Sequence, residues 1–193
     1  SHLLRRVVLF VTQFLRCGSS LELQAFLTSS KSTAQYRHNM YSTLLALHSL
    51  VRWLVLASLL FAIYRAYNGW FTERAFSFFD NSVRHWTATV VHIQLMIGVL
   101  LYIISPIVNY FLHNYREAVH QREIRFFGME HSLMMLIAIV VITIGSAKAK
   151  RKQTDREKFK TMAIWFTVGL LIILTSVPWS FSPLASRPSF RPF

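Results

Sequence analysis

Four apolar blocks, each about the length of a bilayer-crossing helix, dominate the chain at 41–64, 86–104, 126–147 and 161–179. A hydrocarbon core about 30 Å thick is crossed by a helix of roughly 20 residues. The blocks carry Leu, Ile, Val and Phe throughout instead of alternating with polar residues, so soluble core helices are the weaker reading. With 53% hydrophobic residues and a mean hydropathy of +0.38, the chain is too apolar for an ordinary soluble domain. The expectation is all-α: a polytopic membrane four-helix bundle of up-down topology, in contact with the lipid bilayer.

The formal charge of +13 lies in the loops between spans, where Lys and Arg mark the cytoplasmic side and anionic lipid. No basic stripe interleaved with aromatics lies outside the spans, so nucleic acid is not expected as a partner. The most basic loop follows the third span and holds Lys148, Lys150, Arg151, Lys152, Arg156, Lys158 and Lys160. That places it inside, with the 65–85 loop, and leaves 105–125 and both ends of the 40–193 core outside. Arg116, Arg122 and Arg125 in the outer loop oppose this orientation. Pro106 is expected to kink or end the second helix and Pro178 to end the fourth.

Residues 1–39 differ from the rest. Arg5 and Arg6 precede a short apolar run, Val7 to Leu15. It reads as a signal peptide lacking a good cleavage site, as a weak lipoprotein signal ending at Cys17, or as a short amphipathic surface helix. Residues 18–39 read as a polar linker, 40–181 as the transmembrane domain and 182–193 as a tail. Cys17 is the only cysteine, which excludes an intrachain disulfide and a thioether-linked haem.

Within the spans stand His48, His92 and His131. Ionisable groups at membrane depth are costly and mark functional positions, and a neutral imidazole is an iron ligand. His48 lies roughly 7–8 Å to the outer side of the first span's middle, and His131 roughly 8 Å to the outer side of the third's. Two parallel helices at diagonal corners would thus present imidazoles in one layer, with room for a macrocycle between them. Gly128, one turn before His131, would admit a ring edge. His92 sits deeper, roughly 12 Å from that layer, and with Gln94 would serve a quinone or proton site. Arg52 is expected to reach toward Glu130 or haem propionates, since a guanidinium matches a carboxylate at two points. The plainer alternative is that these groups only hydrogen-bond between helices.

Leu47-His48-Ser49-x-x-Arg52-Trp53, His92-x-Gln94-Leu95-x-x-Gly98 and Ser105-Pro106 resemble a family of short four-helix membrane proteins from Bacteroidetes-type bacteria labelled cytochrome b-like. The resemblance continues through Glu130-His131, Met134-Met135-Leu136-Ile137-Ala138, Ile142-Thr143-Ile144-Gly145, Thr154-Asp155 and Val177-Pro178-Trp179, covering about 40–181. It implies haem b, electron transfer, and axial ligation by members of the set His48, His92 and His131. It departs at Gly145-Ser146, where some relatives carry a histidine after the glycine, so a second haem site at the inner surface is not implied.

Together these readings predict one non-covalent haem b held by His48 and His131. It would transfer electrons between quinone or a partner reductase and another redox carrier at a bacterial inner membrane. The alternative is a haem-free accessory or structural protein with an interhelical His/Arg/Glu network. A small proton-coupled carrier is a third and weaker reading, since no internal repeat or broken-helix pair is present. No nucleophile with its base, Walker loop or dinucleotide turn occurs.

Overall fold

The computed structural model describes residues 30–177. The chain divides into two units, 1–40 and 41–193. In the first, the described residues 30–40 are helical; the expected amphipathic segment, the possible leader and the tail 182–193 lie outside the described residues.

Every regular element among the described residues is helical. They run α1 (Ser30–Phe71), α2 (Phe78–Ile104), α3 (Pro106–His113), α4 (Tyr115–Ala118), α5 (Arg122–Arg125), a π-helical turn (Phe126–Glu130), α6 (His131–Arg151) and α7 (Asp155–Ser176). Four stretches are long and apolar enough to cross a membrane: Asn39–Phe71, Phe78–Ile104, Arg122–Arg151 and Asp155–Ser176. They mark an integral membrane protein. The four spans pack together as the helical bundle expected from the sequence, with two short helices, α3 and α4, between the second and third.

The interior is built from residues spaced three or four apart. Val51, Val55, Leu59, Ala62 and Ala66 line the inner side of α1, and Met162, Phe166, Leu170 and Ile173 that of α7. This spacing stacks side chains along one helical ridge. Association in lipid depends on close packing more than on expelling water, and small residues supply the close approaches. Gly145 of α6 packs on Trp165, Gly169 of α7 on Ile142, and Gly69 of α1 on the Phe159 ring. Leu54, Leu60, Ile103 and Leu171 point outward instead, as expected of side chains whose solvent is lipid.

Three helix starts have clear local causes. Ser77 and Asp80 form a reciprocal capping box at the start of α2, satisfying two orphan backbone donors. Ser105 ends α2 and caps α3, whose first residue is Pro106. Proline suits that position because its missing N–H has no intrahelical partner there. Thr154 caps α7, accepting from the Glu157 backbone N–H.

At this basic end, Asp80 is fully buried. It accepts from Arg65 Nε at 2.9 Å and Nη2 at 2.7 Å, and from Arg74 Nη1 and Nη2 at 2.7 and 2.8 Å. The Asp80 hydrogen bonds raise the Arg74 pKa above its ordinary value. Nearby on α2, Arg84 donates to Ser146 Oγ at 2.6 Å and to the Ser146 carbonyl at 3.1 Å, tying α2 to α6.

Candidate functional site

His131 opens α6, and its Nδ1 lies 2.8 Å from the Ser176 carbonyl oxygen at the end of α7. A carbonyl can only accept, so Nδ1 carries the proton and Nε2 holds the lone pair. Ser176 is available because the last carbonyls of a helix lack intrahelical partners. The same arrangement, with one ring nitrogen donating to a backbone carbonyl, orients histidines that bind metals through the other. Phe126 and Phe127 flank the ring at centroid distances of 5.7 and 6.3 Å.

His48 on α1 lies near enough to His131 for the two rings to interact electrostatically, and Arg52 acts on both. These three expected residues are therefore neighbours. The Nδ1 of His48 is buried without a hydrogen-bond partner among the described residues. Its ring edge rests against Gly98 of α2, with Cε1 3.4 Å from where a Cβ on that glycine would stand. Gln94, one turn earlier, donates from Nε2 to the His48 carbonyl at 2.9 Å, while its Oε1 is likewise buried and unbonded. Unsatisfied buried polar atoms are uncommon and call for a physical explanation. Two of them converge here.

Arg52 does not meet Glu130. Its Nη2 approaches Ser49 Oγ at 3.4 Å, and its guanidinium lies 5.4 Å from the Trp53 ring centroid. The Glu130 carboxylate is held by Arg125 Nε at 2.7 Å. Residues five apart on an α-helix point about 140° away from each other. The intervening π turn, with its i→i+5 repeat, brings Arg125 and Glu130 onto one side. The bridge thus follows from the widened turn, and it displaces the expected Arg52–Glu130 pair.

Gly128 and His92 also occupy surroundings other than those expected. The space beside Gly128 is filled by Phe111 of α3, and the Gly128 carbonyl accepts from Tyr102 Oη at 3.0 Å. Its missing side chain accommodates an aromatic residue of the protein itself. His92 stands on the exposed side of α2, with Nδ1 2.6 Å from the Ala88 carbonyl and Nε2 3.2 Å from Thr143 Oγ1. Nδ1 donates to that carbonyl, and Nε2 lies beside a hydroxyl that also donates to the Ile139 carbonyl at 2.7 Å, in an α2–α6 link on the exposed side of the helix. His113 and His120 are exposed.

Gly98, Ser176 and Phe126 join the site without having been expected there as His contacts. For Ser176 the signal was its place at a helix end just before Pro178, where carbonyls go unpaired. Gly98 was visible one turn after Gln94, on the same face. Among the described residues no group of three or more His, Cys, Asp or Glu is arranged to hold a metal ion, so a purely side-chain metal centre of that kind is not present there. A pair of imidazoles is a different donor set and suits an iron already held by a macrocycle.

No known protein family, curated protein or solved structure matches the chain.

Proposed function

We propose that the protein is a membrane b-type haem protein that passes electrons between quinone or a partner reductase and another redox carrier, at a bacterial inner membrane. The observation that carries this reading is the proximity of two imidazoles, each with a nitrogen open to a ligand. His131 is fixed with Nε2 as its lone-pair nitrogen, and His48 has a buried nitrogen without a partner. A ligated iron would account for that orphaned atom. The cytochrome b-like resemblance of residues 40–181 supports the same conclusion.

Haem, when bound, supplies a one-electron carrier whose potential depends on its axial ligands and their hydrogen bonds. The chain's own residues do the rest. Ser176 orients His131 by accepting a hydrogen bond from Nδ1–H. Gly98 leaves the His48 ring its position beside α2, and Gln94 braces the backbone at that turn. Arg52 supplies positive charge beside both rings, suited to a propionate. His92, on the exposed side of α2, takes no part in ligation.

Absorption spectroscopy on protein expressed with ample haem tests the reading. A Soret band that sharpens and shifts on dithionite reduction is expected, lost in His48→Ala and His131→Ala and retained in His92→Ala. A colourless preparation, or an unaltered six-coordinate spectrum in His131→Ala, refutes it.

The second reading is a haem-free accessory protein whose polar groups fix helix positions. It draws on the hydrogen bonds that already join the helices: Gln94 to His48, His92 to Thr143, and Arg84 to Ser146. Colourless protein whose thermal stability falls in His131→Ala would favour it.

A further inference from the structure

On the basic end of the α6–α7 hairpin, an open basin of about 460 Å³ is lined by Lys148, Arg151, Lys152, Thr161 and Trp165. Its two walls are helical rows. Lys148 and Arg151 are three apart on α6, with Lys152 the residue that ends it, and Thr161 and Trp165 are four apart on α7. Such spacing sets side chains on one face. Gly145 lets α6 approach Trp165 closely, so the indole forms an apolar floor between the walls. The Lys148 ammonium stands 4.6 Å from the Trp165 ring centroid, which holds a cation above that floor.

Charge in the basin is unbalanced. Lys152 reaches Glu157 at 3.5 Å, but no carboxylate bridges Lys148 or Arg151 among the described residues. Three cations face one carboxylate. The basin also stands where the apolar run of α6 gives way to Lys148 and the apolar part of α7 begins, so it lies at interfacial depth. A tryptophan floor, a hydroxyl and clustered cations at that depth match a phosphate ester whose chains continue into hydrocarbon.

We propose that this basin binds the phosphate of an anionic phospholipid headgroup. Arg151 offers its planar fork of donors and Lys148 a point charge, while Trp165 packs against the glycerol region. The site is independent of whether haem is bound.

The test is native mass spectrometry of the full chain in neutral detergent, titrated with phosphatidylglycerol or phosphatidylcholine. Phosphatidylglycerol is expected to bind in preference. Each interfacial charge is worth roughly 5-fold in affinity, so Lys148→Gln with Arg151→Gln should weaken that lipid about 25-fold. Both residues are exposed, so the fold should persist. A control pair outside the basin, Lys150→Gln with Arg156→Gln, should leave binding unchanged. Equal uptake of the two lipids, or an equal loss in the control pair, overturns the proposal. Inorganic phosphate supplied alone as competitor separates the two sources of the anion. Displacement at millimolar concentration supports the site with free phosphate as its ligand, and failure to displace supports the lipid-borne group.

Discussion

Replacing Asp80 should cost more stability than any other single change at the basic end. Its carboxylate receives four guanidinium contacts between 2.7 and 2.9 Å. It also accepts from the Ser77 backbone N–H at 3.0 Å and the Ser77 hydroxyl at 2.7 Å. Removing one member of a buried ion pair costs about 3–5 kcal/mol, because the other charge stays behind without its partner. Here the side chains of Arg65 and Arg74 remain 26% and 28% exposed, so water can reach the stranded guanidinium groups and the loss should lie near the lower end. Asp80→Ala also removes half of the capping box, worth about 1 kcal/mol, for a total of about 3–4 kcal/mol. Asp80→Asn keeps an oxygen for Ser77 and should lose about 2–3 kcal/mol. Reversible unfolding in mixed micelles titrated with dodecyl sulfate would measure both, and a cycle with Arg74→Gln would isolate the pair. A loss below about 1 kcal/mol for Asp80→Ala, or strict additivity of Asp80→Asn and Arg74→Gln, would refute the reasoning.

Two further outcomes follow from the helix contacts. At Gly98 a methyl group would meet the His48 Cε1 at an ordinary contact distance of 3.4 Å. Gly98→Ala should therefore preserve any haem spectrum, whereas Gly98→Leu should displace the ring and abolish it; an intact spectrum in Gly98→Leu would count against His48 as a ligand. Ser146→Ala deletes the 2.6 Å bond from the buried Arg84 guanidinium and leaves the 3.1 Å bond to the carbonyl as the hydrogen bond from Arg84 to α6. The same titration should show a loss of about 2 kcal/mol, and an unmoved midpoint would disprove the α2–α6 tie.

Hydropathy made the four spans legible, because a residue facing lipid and a residue facing the core are apolar alike. For the same reason it misplaced their ends. The second apolar block starts at 86, but α2 begins at Phe78. The cause is local: Ser77-x-x-Asp80 is a capping box that polar content hides from an apolarity window, yet its spacing is readable. The first helix likewise runs past its apolar block to Phe71, carried by Tyr67, Trp70 and Phe71 stacked on one another. Proximity of His48, Arg52 and His131 was legible because depth along a helix follows from residue count. The azimuth of each side chain was not. His92 has suitable chemistry but faces outward, and Gly128 is filled by a phenylalanine from a loop helix that no periodicity in the spans announces. The Arg65–Asp80–Arg74 cluster was missed because its three members lie on different elements, brought together only by the turn at 72–77.

The π turn at 126–130 has a consequence for anyone reasoning by helical wheel. It holds one residue more than a uniform helix would use between Arg125 and His131. A wheel drawn with a single period through 122–151 therefore rotates everything on one side of it by about 100°. On such a diagram Arg125 and Glu130 part company and the edge of α6 that carries His131 is misread. Trimming one residue from Phe127-Gly128-Met129 would restore a regular coil while dissolving that bridge, which makes this short stretch the place where a shortened relative would announce a rebuilt pocket.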